Sequence, residues 1–91
     1  MLYQLLKIDG RNIAYSELMN KDGKEQIRIY SDELNPIKHN INELEFYLPD
    51  YKITKKIGYT DQDIKSIINH VKCAEDIIWD RARRATKELA K

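Results

Sequence analysis

Over the first third of the chain, apolar and polar residues alternate in short runs, and two Asp-Gly pairs, Asp9-Gly10 and Asp22-Gly23, separate the runs. Alternation is the period of a half-buried strand. Asp-Gly supplies the positive φ that a two-residue type I′ hairpin turn needs. The pattern predicts a three-stranded antiparallel meander, with strands near residues 2–8, 12–19 and 25–31. With Asp22-Gly23 as the turn, Tyr15 faces Tyr30 and Glu17 faces Arg28. Such aromatic and opposite-charge pairs stabilise a sheet by roughly 0.2–1 kcal/mol each. This register places Tyr3, Leu5, Leu18, Ile27 and Ile29 on one face and Leu6, Ile8, Ile13, Tyr15, Met19 and Tyr30 on the other. Both faces are then partly apolar. An antiparallel sheet with one wet face alternates more cleanly, so the second face implies a cover, either a helix or a partner.

Beyond the meander the spacing of apolar residues lengthens. Ile37, Ile41, Leu44 and Leu48 recur at helical intervals between Asn35-Pro36 and Pro49. Pro fits the first helical position, Asn40 with Glu43 is a second, capping-box-like start, and the residue before a proline leaves the helical region. A short helix near 36–48 is expected. Alternation returns at Tyr51, Ile53, Ile57 and Tyr59, with Lys52, Thr54 and Lys56 between them. That is a fourth, edge strand, where lysines discourage strand addition. From Thr60 the chain has no Gly or Pro, and Ile64, Ile67, Ile68, Val71, Ala74, Ile78, Ala82, Ala85 and Leu89 form one stripe. Thr60 ahead of Asp61 and Asp63 is a helix start. One helix over 60–90 would be roughly 45 Å long, against a radius of gyration of about 12 Å for a domain of this size, so it is expected to overhang. The expected fold is a single α+β domain over 1–91. Its sheet and short helix occupy 1–59, and the long C-terminal helix packs on the sheet.

Composition adds few constraints. The chain is 42% hydrophobic and 34% charged with net charge +1, a folded rather than a disordered composition. Cys73 is the sole cysteine, which excludes an internal disulfide framework. No run of about 18 apolar residues spans a membrane, and the start lacks the layout of a secretion signal, so a cytoplasmic location is expected. The charge is uneven: Arg81, Arg83, Arg84, Lys87 and Lys91 face only Asp80 and Glu88 over the last twelve residues.

Candidate chemistry is sparse. His70 and Cys73 are neighbours at helical spacing, but no further His or Cys completes the ligand set zinc takes. No nucleophile elbow and no phosphate-binding glycine loop occurs. Glu43 and Glu45, two apart on the expected helix, do not face each other. No catalytic residue, metal, cofactor or small-molecule substrate is expected.

Surfaces remain. Trp79 and Ile77 flank the apolar stripe and Arg81, Arg83, Arg84 and Lys87 fan over the side opposite it, and Trp and Arg are over-represented in binding hot spots. With Tyr15 and Tyr30 on the second sheet face they make the expected partner-binding set. Ala82, Ala85 and Leu89 narrow the stripe and would permit close approach of another helix, hence a homodimer through the C-terminal helix. The leading expectation is a non-enzymatic protein-binding module that regulates or inhibits a larger partner. In size and lone-domain design the chain is similar to accessory and inhibitor proteins of phages and mobile elements. The alternative is a nucleic-acid-binding accessory protein using Arg81, Arg83, Arg84 and Lys87, with Lys52, Lys55 and Lys56.

Overall fold

The computed structural model describes residues 2–8 and 10–89, Leu89 by its backbone only. Strands β1 (Leu2–Ile8), β2 (Arg11–Ser16), β3 (Met19–Lys21), β4 (Lys24–Asn35), β5 (Asn40–Leu48) and β6 (Lys52–Ile57) precede helices α1 (Asp61–Cys73) and α2 (Glu75–Leu89). The strands form one antiparallel sheet in the order β1-β2-β4-β5-β6, with β3 also paired to β4. The fold is α+β, as the patterning predicts, but it differs from the expectation at four places.

The first is the register of the second hairpin. Asp22 (φ 54°) and Gly23 (φ 81°) make the expected turn, and Met19↔Gln26 and Lys21↔Lys24 follow from it. The pairing then slips by one residue, to Tyr15↔Ile29 and Ala14↔Tyr30. The extra residue is absorbed at Glu17-Leu18, between β2 and β3. A one-residue slip moves every side chain to the opposite face. Tyr15 and Ile13 therefore join Ile27 and Ile29 in the core, while Tyr30 points away from it. The expected Tyr15–Tyr30 pair is corrected, and with it the doubly apolar sheet. The slip is held by hydroxyls. The Arg28 amide donates to Ser16 Oγ at 2.9 Å, and the Leu18 amide donates to Thr86 Oγ1 on α2 at 2.9 Å.

The second is the middle segment, which is strand and not helix. Asn42, Leu44, Phe46 and Leu48 are buried on alternate positions of β5, with Glu43, Glu45 and Tyr47 between them. A segment pairing with the central strand β4 over nine residues gains a full ladder of hydrogen bonds and buries one face. Four apolar positions at three-to-four spacing are no match for that combination. Asn35-Pro36 opens a turn instead of a helix: Asn35 Oδ1 accepts from the Ile37 and Lys38 amides.

The third is the C-terminal helix, which breaks at Ala74 (φ −105°, ψ 9°). The Ala74 amide bonds the His70 and Val71 carbonyls, and the ladder resumes with Ile78 N to Ala74 O. Tyr51, from the β5–β6 loop, docks beside the break. Its hydroxyl donates to Glu75, its ring stacks on Phe46, and Lys72 lies 5.2 Å from its centroid.

Both helices cover the same sheet face. Ile64, Ile67, Val71, Ile78 and Ala82 meet Ile13, Tyr15, Ile27, Ile29, Leu44, Phe46 and Leu48 in one core. The start of α1 is pinned at the sheet's end. Thr60 and Asp63 close a reciprocal capping box, and Arg11 on β2 bonds both Asp63 (2.7 Å) and Glu33 on β4 (3.1 Å). The fourth is the expected overhang: α2 is buried as far as Ala85 and Thr86 is bonded to the Leu18 amide, so the sheet underlies the helices to at least Thr86, in a molecule of 44 × 22 × 21 Å.

Candidate docking surfaces

The residues expected to bind a partner do not form one surface. Tyr15 is buried beneath α2 and stacked on Tyr3, where Arg81, Arg84 and Glu88 close over the pair in a shallow depression. Tyr30 lies on the opposite face of the sheet, away from every residue of α2. Trp79 is half-buried, packed against the core, with the Arg83 guanidinium 5.7 Å from its ring centroid. Asp76 and Glu25 line the same depression. Ile77 is exposed on the other flank of the helix. Arg84 pairs with Asp80 at 3.1 Å, and Lys87 is exposed. Four acids, Glu75, Asp76, Asp80 and Glu88, stand beside four bases, Arg81, Arg83, Arg84 and Lys87, so α2 carries no net charge. The basic end has the charge order that a helix dipole favours, acids first and bases last. Lys91 and the side chain of Leu89 lie outside the described residues.

Ala82 and Ala85, expected as a self-association seam, are 0% and 7% exposed and face this chain's own sheet. Small side chains here bring α2 close to the sheet. Lys55 and Lys56, expected as auxiliary phosphate contacts, sit beside acids: Lys55 with Glu43 and Lys56 with Asp61. His70 Nδ1 donates to the Ser66 carbonyl, Cys73 is exposed, and among the described residues no cluster of three or more metal-ligating side chains forms. No helix among them is long and apolar enough to cross a membrane.

The sheet face opposite the helices carries two features the sequence reading missed. At its centre is a charged lattice. Glu43 and Glu45, two apart on a strand, point to the same side. Arg28 bonds Glu45 at 2.6 Å, Thr54 Oγ1 donates to Glu45 at 2.7 Å, and the Tyr30 hydroxyl donates to Glu43 at 2.5 Å. The hydrogen bond from Tyr30, then Lys55, holds the Glu43 carboxyl below its usual range. Burial alone would raise Glu45, but its bonds from Thr54 and Arg28 outweigh that and lower it. Burial, then the bond to Glu43, pushes the Tyr30 hydroxyl up. The carboxylates are thus kept ionised and the phenol protonated, a lattice of charge-assisted hydrogen bonds.

At one end of this face the β4–β5 hairpin runs on alone. The pairing of β2 with β4 ends at Asp32, and that of β6 with β5 ends at Glu43. The rungs Glu33↔Asn42, Leu34↔Ile41 and Asn35↔Asn40 have no strand on either side. This arm exposes Leu34 (68%), Ile41 (52%) and, in its turn, Ile37 (87%). Leu34 and Ile41 are direct partners on the face away from the helices, and Ile57 lies diagonal to Ile41 across Glu43. The same Ile37 and Ile41 made the false helical stripe. The signal that could have found the arm is the strict alternation from Asn42 to Leu48, which extends β5 back into the turn.

The chain matches no family model, no curated protein and no solved structure.

Proposed function

We propose that this chain is a non-enzymatic module that binds a larger protein and regulates or inhibits it, and that the β4–β5 arm is the docking element. The observation that carries the reading is the exposed apolar cluster of Leu34, Ile37 and Ile41 on a two-stranded arm. Exposed apolar side chains scattered singly are ordinary. Three on one projecting tip, with Ile57 adjoining, are of the kind that marks an interaction site. The occupant that fits is a protein with an apolar cleft wide enough for a two-stranded ribbon. The arm is rigidly based, because its strands continue as the two central strands of the sheet, so little ordering cost is incurred on binding.

The test places a photo-crosslinking residue at position 37 and, as a control, at position 77 on α2. One discrete protein crosslinked from position 37, and lost when Leu34 and Ile41 are both replaced by Ser, supports the reading. Crosslinking from position 77 alone would move the docking site to α2. Adducts only to a second copy of the chain would overturn a larger partner.

A further inference from the structure

The opposite end of the same sheet face holds a trough of about 410 Å³, lined by Met19, Asn20, Lys21, Gln26, Tyr47, Asp50, Lys52 and Thr54. Its volume lies within the range of small-molecule sites, roughly 300–1,000 Å³. The trough exists because β3 pairs with β4 in the turn's own register. Met19, Asn20 and Lys21 thereby form one wall, facing Lys52 and Thr54 of β6 across β4 and β5.

Its floor is an unused aromatic ring. Tyr3 and Tyr15 stack on each other. Tyr30 bonds Glu43 and lies under Arg28. Tyr51 bonds Glu75 and stacks on Phe46. Tyr59 lies against Ser31 and Arg11. Of the tyrosines, all among the described residues, only Tyr47 has neither a side-chain hydrogen bond nor a ring or cation contact, although the ring is half-exposed. Lys52 is its register partner on β6, and Lys21 stands on the opposite wall. Neither lysine has an ion-pair partner among the described residues. Asp50 is the one acid of the lining, so the rim is net positive, and Asn20 and Gln26 add amide donors and acceptors.

We infer that this trough binds a small aromatic anion: a flat ring lies against Tyr47, and its phosphate or carboxylate is met by Lys21 and Lys52. Aromatic stacking tolerates many rings, and an ammonium meets an anion as a point charge, so the chemistry selects a class of ligand. The site is independent of the arm, whose nearest residue on β5, Asn42, is five residues from Tyr47, about 17 Å along the strand.

The test is a titration followed by amide NMR shifts, with adenosine monophosphate, phenyl phosphate, adenosine and inorganic phosphate as separate probes. Adenosine monophosphate or phenyl phosphate should move the amides of Met19–Lys21, Gln26, Tyr47 and Lys52–Thr54, with adenosine and phosphate alone each at least about tenfold weaker. Tyr47→Leu keeps the apolar bulk and removes the ring. It and the double variant Lys21→Gln/Lys52→Gln should each weaken binding about tenfold or more, whereas Lys87→Gln on α2 should not. No shift with either aromatic phosphate at about 10 mM overturns the site. So do shifts centred on α2, or equal responses to inorganic phosphate and the aromatic phosphates.

Discussion

At Gly58 a single hydrogen atom decides whether two elements fit. The residue has φ +80°, and a Cβ there would stand 2.1 Å from Asn42 Oδ1. Asn42 is itself buried on β5, so it has little room to withdraw. A side chain held at positive φ costs about 1–3 kcal/mol, and the clash adds to it. Gly58→Ala should lower the urea-unfolding free energy by about 2 kcal/mol or more. Adding Asn42→Ala should restore only the part due to the clash, a coupling that a double-mutant cycle reads directly. Titrating residues set a second expectation. The Asp63 carboxyl is held below its ordinary 3.8 by bonds from Thr60 and then by Arg11, and Glu43 and Glu45 lie below their ordinary 4.5. Groups with depressed folded values contribute stability above the unfolded value and lose it as pH falls through the folded one. Stability should therefore decline from about pH 5 downward. Tyr30 and Tyr51 are raised above 10.0, so their contribution is present below pH 10 and lost above it. Urea midpoints across pH check both limbs, and Asp63→Asn should flatten the acid one.

Between strands, hydroxyl groups replace ladder bonds where the register slips. Thr86 accepts from the Leu18 amide and donates to the Ala82 carbonyl at 2.8 Å, so one side chain ties the bulge of the sheet to the turn of the helix above it. Thr86→Val preserves shape and leaves a part-buried amide unsatisfied, which costs about 1–2 kcal/mol. The local readout is hydrogen exchange at Leu18, which should accelerate more than exchange at Ile27 and Ile29. Little of this was legible in the chain. The Asp-Gly turn was readable because its φ requirement is local, and the register near it followed. The slip was not, because one of the two hydroxyls that hold it, Thr86, lies on α2, 68 residues from Leu18. The helix expected near 36–48 failed for a related reason. Ile37 and Ile41 mimic a helical stripe, whereas β4 supplies pairing that no local pattern reveals.

For the molecule as a whole, length is the governing property. The long axis is 44 Å, the central strand β4 has twelve residues, and α2 is buried as far as Ala85 and bonded to Leu18 through Thr86. Ala82, at 0% exposure, lies where α2 approaches the sheet, so a larger residue there overpacks the core. Ala82→Leu should cost about 1–3 kcal/mol in unfolding free energy without a change of mass in sedimentation. A seam between copies would give the converse, altered mass with the unfolding free energy of the monomer retained.

The sequence by itself determined the class of fold, the Asp22-Gly23 turn, the lysine-rich edge strand, the Thr60 cap and the face that the C-terminal helices bury. Each of these rests on steric preferences, capping or periodicity within a few residues. Only the tertiary structure decided that residues 40–48 form a strand, that Tyr15 and Tyr30 point to opposite faces, and that the helix breaks at Ala74. It also decided that the alanines expected at a seam belong to the core. For residues 40–48 the deciding partner is β4, the strand just before them, whose pairing the apolar spacing does not reveal; Thr86, Tyr51 and the sheet beneath α2 are distant in the chain from the residues they meet. The same distance separates Met19 from Tyr47 and Lys52, and Leu34 from Ile57, so the trough and the apolar tip come into being only once the strands are in register.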